Sequence, residues 1–285
     1  MKFTLIIGLV GGAVAANAQT VYSNSMTPGD YFTSASATPV STPLTNFAGA
    51  NGDVAVYREV KNNGAVGINT NLPRNGNGSL WFKTDGGSSE KSEFAISRSF
   101  DGSGNATGVL GTFDALSALS ADMYTLSSPG SGNQNPILRV ELFSATENKF
   151  GQLIFDTAWT PSHSPTFTYG QWNSMDIFAN PSTTWLRASG SINTTYGPGA
   201  INNGERTLSD WQSILNGKGY VVTSINMGVG TWNVPYEGAI DNLSYGFTGG
   251  SSATYNFEAV PEPASMFALG LGALGLIRKR KAAKK

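Results

Sequence analysis

The chain has 285 residues, of which only 13% are charged, with 35 glycines, no cysteine and a single histidine, His163. That inventory excludes a disulfide framework and any thiolate or histidine-rich metal site. The formal net charge of −1 hides an uneven distribution: residues 19–260 hold eleven basic and eighteen acidic side chains, whereas six of the last eight residues are Lys or Arg. The body is therefore acidic, without the clustered cations that nucleic-acid binding requires.

In chain order, the first element is a basic start at Lys2, an apolar stretch Phe3–Val14 and the triplet Ala16-Asn17-Ala18. This is the pattern of a secretory signal helix with an A-x-A cleavage site, and cleavage after Ala18 would leave Gln19 first. It implies passage through the Sec translocon. Residues 19–50, rich in Thr, Ser and Pro, are expected to form an extended arm or the first strands of the body.

From 51 to 259, short β-type runs alternate with Gly, Asn and Pro punctuation. Val54–Val60 ends at Asn62-Asn63-Gly64, and Ser79–Thr84 at Asp85-Gly86-Gly87. Ile137–Phe143 puts Leu138, Val140 and Leu142 on one face and Arg139 and Glu141 on the other, the period of a half-buried strand. Gly151–Trp159 repeats that alternation. Further strands are expected over Asp122–Ser127, Ser174–Phe178, Tyr220–Val229, Ala239–Phe247 and Thr254–Glu258. Helix is expected at Ser209–Leu215, opened by a Ser-x-x-Gln capping box and closed at Asn216-Gly217, and more weakly, as one turn, within Thr112–Ser120. About a dozen strands without alternating helices predict an all-β fold, a two-sheet antiparallel sandwich of jelly-roll type. No fixed-period repeat supports a solenoid or propeller.

The tail reads Val260-Pro261-Glu262-Pro263-Ala264-Ser265, continues apolar to Ile277, and ends in Arg278–Lys281, Lys284 and Lys285. The apolar run is shorter than the roughly 20 residues that span a bilayer core, so a transmembrane helix here would rely on snorkelling basic stems or local thinning. The basic end would stay in the cytoplasm and the body outside, the topology the N-terminal signal also demands. Gly270–Gly275 matches G-x-G-x-x-G, but with no strand before it and no acid some twenty residues on it is not a dinucleotide loop.

A Pro-Glu-Pro motif, an Ala/Leu/Gly segment and an Arg/Lys cluster resemble the PEP-CTERM sorting signal of Gram-negative bacteria. The resemblance implies recognition and processing by exosortase, in species that make exopolysaccharide, with Pro261, Glu262 and Pro263 as the motif. In the body, Asn226–Trp232 followed by Gly238–Gly246 resembles the closing strands of galactose-binding-like and carbohydrate-binding jelly rolls. That likeness implies a structural calcium on Asp241; the alternative is a strand acid bonding backbone amides.

Chemistry-bearing residues are sparse. His163 lies in the loop Pro161–Pro165, and no G-x-S-x-G elbow accompanies it. The acid pairs Glu141/Glu147 and Asp156/Asp176 are formally available for glycoside hydrolysis. Asp101-Gly-Ser-Gly-Asn105 starts like a calcium loop but lacks the closing Glu, so a hairpin turn is expected. Of six tryptophans, Trp81 and Trp159 are expected in the core, whereas Trp172, Trp185 and Trp232 lie near polar loops and are the candidates for stacking on sugar rings. These observations together point to an exported, non-catalytic surface or matrix protein, held at the inner membrane as a precursor and associated with exopolysaccharide or adhesion, with no cofactor beyond that calcium. The rivals are a secreted polysaccharide-active enzyme on the same fold and a coat protein without a specific ligand.

Overall fold

The computed structural model describes residues 18–87, 89–126, 134–158, 165–199, 204–230 and 235–262. The expected signal and transmembrane helices, Ala16, Trp159, His163, Trp232 and Pro263 lie outside these residues. Among the described residues no helix is long and apolar enough to cross a membrane.

In chain order the strands begin with β1 (Ala18–Met26), β2 (Phe32–Thr33), β3 (Val40–Pro43), β4 (Val54–Lys61), β5 (Ala65–Asn69), β6 (Ser79–Thr84) and β7 (Lys91–Ser97). Then follow β8 (Gly111–Thr112), β9 (Leu116–Thr125), β10 (Ile137–Ser144), β11 (Lys149–Phe155), β12 (Trp172–Asp176) and β13 (Trp185–Ser189). Helix α1 (Gly190–Tyr196), β14 (Glu205–Thr207), helix α2 (Leu208–Leu215), β15 (Tyr220–Val229), β16 (Tyr236–Phe247) and β17 (Ser252–Val260) complete the body.

The strands form the expected two sheets. The first runs β1-β17-β16-β6-β5-β2, with β9 along the opposite edge of β16 and β12 outside β9; the second runs β14-β13-β11-β10-β15-β7-β4-β3, with β8 on β15. All pairings are antiparallel except β1 with β17, which join the two ends of the described chain in parallel. Alternation decides which face is buried: Leu80 and Phe82 of β6, Leu138, Val140 and Leu142 of β10, and Tyr255 and Phe257 of β17 all turn into the space between the sheets. Phe94 of the second sheet meets Phe257 of the first edge-on, with ring centroids 5.5 Å apart. Trp81 is buried as expected, though on the outer face of its sheet.

Acids as well as apolar side chains are buried in the body. Asp53, just before β4, accepts from the hydroxyls of Tyr245 and Tyr255 and from the Arg98 guanidinium. Burial raises its pKa despite these donors.

Helix start signals are corrected by the structure. The cap of α2 is Thr207, not Ser209: Thr207 ends β14 in an extended conformation and its hydroxyl accepts from Asp210 N at 3.2 Å. A residue leaving a strand already has the backbone geometry that a cap needs. The expected end holds, with Gly217 at φ +69°. Over 112–120 the helical content is one 3-10 turn at Phe113–Ala115, after which β9 takes the chain.

Candidate functional site

The outer face of the first sheet carries a row of side chains set by register. Pairing places Trp81 opposite Ala239, Ala239 opposite Tyr124, and Tyr124 opposite Trp172, so one line crosses β6, β16, β9 and β12. At the β6 end Trp81 is covered: Tyr31 lies 5.7 Å from it, and its Nε1 donates to Glu237 Oε1 at 2.9 Å. At the β12 end the row opens. Trp172 is half-buried, 5.4 Å from the Tyr124 ring at 51°, with the Arg74 guanidinium 5.9 Å over its own ring.

Beside this ring lies an open groove of about 270 Å³, lined by Ser120, Asp122, Ser174, Met175, Asp176 and Asn242. Asp122 organises it. Its carboxylate accepts from Arg74 at 3.0 Å, from Asn242 Nδ2 at 3.0 Å and from the Ser174 hydroxyl. Asn242 reaches it from a bulge in β16, where its own φ is +49°; Asn tolerates that left-handed conformation better than most residues. The assembly offers a flat indole edge, a guanidinium, an amide, hydroxyls and the exposed carboxylate of Asp176. Such a mixture suits a ring with one apolar face and hydroxyls around its rim.

Of the two described tryptophans proposed for stacking, Trp172 lies on this face. Trp185 is on β13 in the second sheet, opposite Thr207, so the two do not form one surface. The residues around Trp172 carry no sequence signal of their own: Asp122 and Asn242 fall in predicted strands, and pairing is what brings them together.

Asp241 is fully buried, and its Oδ1 accepts from the backbone N–H groups of Asn242 at 2.8 Å and Phe257 at 2.9 Å. Burial, with a contribution from Glu258, pushes its pKa up to about 6 against the lowering effect of those amides. For calcium it would offer only the unpartnered Oδ2, and no cluster of three Asp, Glu or His residues occurs among the described residues. The geometry matches the amide-bonding alternative. Asp101 likewise turns its carboxylate onto its own loop, accepting from Ser103 N and Asn105 N at 2.9 Å and from Asn105 Nδ2.

The acid pairs considered for hydrolysis do not assemble. Glu147 is engaged by the hydroxyls of Tyr196 and Tyr220 at the β10–β11 turn, and Asp156 follows β11 of the second sheet while Asp176 ends β12 of the first. The outer face of the second sheet does bring Glu141 together with another buried glutamate, Glu93, at one cation. Arg58 lies 2.8 Å from Glu141 and 3.6 Å from Glu93, while Glu93 also meets Lys91 at 2.9 Å and Arg139. Burial lowers the pKa of Lys91 to about 8 and that of Arg139 to about 10. Each of these carboxylates is tied to cations inside a buried network, whereas a glycosidase needs its two acids on either side of a bound sugar. This network reads as structural.

The fold and the position of the tail define the class: a β-sandwich body whose last strand runs directly into a sorting signal. That signal is the PEP-CTERM protein-sorting motif, which matches residues 259–281. A chain bearing this motif is an exosortase substrate, exported and processed at the membrane. Among the solved structures that align with this chain are two. One is a family 11 carbohydrate-binding module from Clostridium thermocellum in complex with a β-1,3-1,4-mixed-linked tetrasaccharide, at 12% identity over 78% of this chain and 98% of that one, with a TM-score of 0.36. The other is a native family 12 xyloglucanase from Bacillus licheniformis, at 13% identity over 78% and 99%, with a TM-score of 0.34. Likeness at this level carries no residue-by-residue correspondence. No curated protein matches the chain.

Proposed function

We propose that this is a non-catalytic protein delivered outside the cell by its PEP-CTERM signal, whose sandwich associates with polysaccharide through the groove beside Trp172. The observation that carries the reading is the convergence of Trp172, Tyr124, Arg74, Asp122 and Asn242 on one open face of a body that carries an export signal. A stacking aromatic supplies about 1 kcal/mol or more beyond its buried area, and the surrounding polar groups supply orientation. The mature form would lie at the cell surface or in the matrix.

Affinity electrophoresis of the processed protein through gels containing the producing cell's own exopolysaccharide tests this. Retardation is expected for wild type and for W185A, and a roughly tenfold loss of affinity for W172A. Undiminished retardation of W172A would remove the groove from the account. Turnover of the polysaccharide by wild type would show that the protein is catalytic.

A further inference from the structure

The sorting motif and the folded body share residues. The PEP-CTERM match begins at residue 259, yet Ala259 and Val260 belong to β17, and Ala259 is completely buried. Both are tied down. The Ala259 carbonyl accepts from Asn77 Nδ2 at 3.0 Å. Val260 N donates to Ser23 Oγ at 3.0 Å, and its carbonyl accepts from Thr27 N at 2.8 Å and Thr27 Oγ1 at 2.9 Å. Ser23 lies in the bulge near the end of β1 and Thr27 just past that strand, and Asp30 holds the bulge by accepting from Asn24 N and Ser25 N at 2.8 Å. Tyr57 in turn donates to Asp30 at 2.6 Å.

The next residues, Pro261 and Glu262, are exposed. From Val260 to Ala264, where the apolar run begins, an extended chain spans at most about 14 Å. No spacer separates the sandwich from the segment that membrane processing must engage. An enzyme that takes the motif in an extended form meets the rim of two stacked sheets, and the residues just before Pro261 are locked into one of them.

We propose that the end of β1 is a clamp on the processing site: the exosortase acts on the fraction of molecules in which Val260 has left Ser23 and Thr27, so these two residues set the rate at which the finished body is released from its sorting signal. The inference rests on the sorting reading above. It implies that the substrate recognised at the membrane includes the last turn of the sheet edge, not the tail alone.

Pulse-chase of the full chain in cells carrying the exosortase tests it, following conversion of precursor to processed form. Two variants are compared with wild type: S23A/T27V, which removes two side-chain bonds to Val260, and a short Gly/Ser spacer placed between Val260 and Pro261, which leaves every contact of the sheet in place. Both are expected to be processed roughly fivefold faster or more, the spacer variant without any change in melting temperature. Unchanged or slower processing in both would overturn the clamp while leaving the sorting signal standing. A wild-type chain that is never processed would overturn the sorting reading and the clamp together.

Discussion

At the scale of single residues, the most informative group is Asp241. An unfolded aspartic acid titrates near 3.9, whereas burial raises this one to about 6 in the folded chain. Between those values the folded state keeps a proton that the unfolded state has released. The stability from this group is therefore whole below about pH 4 and is lost as the pH climbs through 6. D241N cannot ionise and retains the oxygen that accepts from Asn242 and Phe257. Thermal melts should show D241N gaining on wild type from pH 4 to pH 7; parallel curves would refute the assignment. Calcium is expected to leave wild type unmoved at pH 7, and a calcium-dependent rise abolished in D241N would restore the metal reading. Asp53 makes the complementary case. D53A leaves the hydroxyls of Tyr245 and Tyr255 without their common acceptor in the core, and is expected to cost about 3–5 kcal/mol in urea unfolding.

Among the elements, α2 shows how far a local signal reaches. Ser209 and Gln212 have the right spacing for a capping box, yet the helix begins at Leu208 because Thr207 arrives from β14 with its hydroxyl already facing Asp210 N. T207A should therefore lower stability by about 1 kcal/mol and S209A by far less; the reverse order would reinstate the sequence assignment. The long strands were legible for the same reason that they form. Ser79–Thr84 and Tyr220–Val229 match their predicted spans because alternation and turn residues bound them on both sides. Lys91–Ser97 was missed because its outward positions, Lys91 and Glu93, look like a solvated face but lie in an ion network. Trp185–Ser189 and Glu205–Thr207 are short strands whose formation depends on partners far away in sequence. The groove was illegible for a related cause: Trp172 could be named from its polar surroundings, but Tyr124, Asp122 and Asn242 join it only through the β16–β9–β12 register.

On the scale of the whole molecule, the two ends of the described chain meet. β1 and β17 pair in parallel at one edge, so the strand that would follow signal cleavage, starting near Ala18, closes onto the strand that leads into Pro261. An acidic body followed by a basic tail gives the same polarity in charge, and basic residues resist transfer across a bilayer. The polysaccharide role proposed for the groove has meaning only if the chain reaches the outside and is severed from its sorting segment. Mass spectrometry of both termini of the protein recovered from the cell envelope and the medium tests that most directly. A first residue at Gln19 and a last residue close to Pro261–Pro263 are expected; a surface-recovered chain still ending in Lys284-Lys285 would contradict the account.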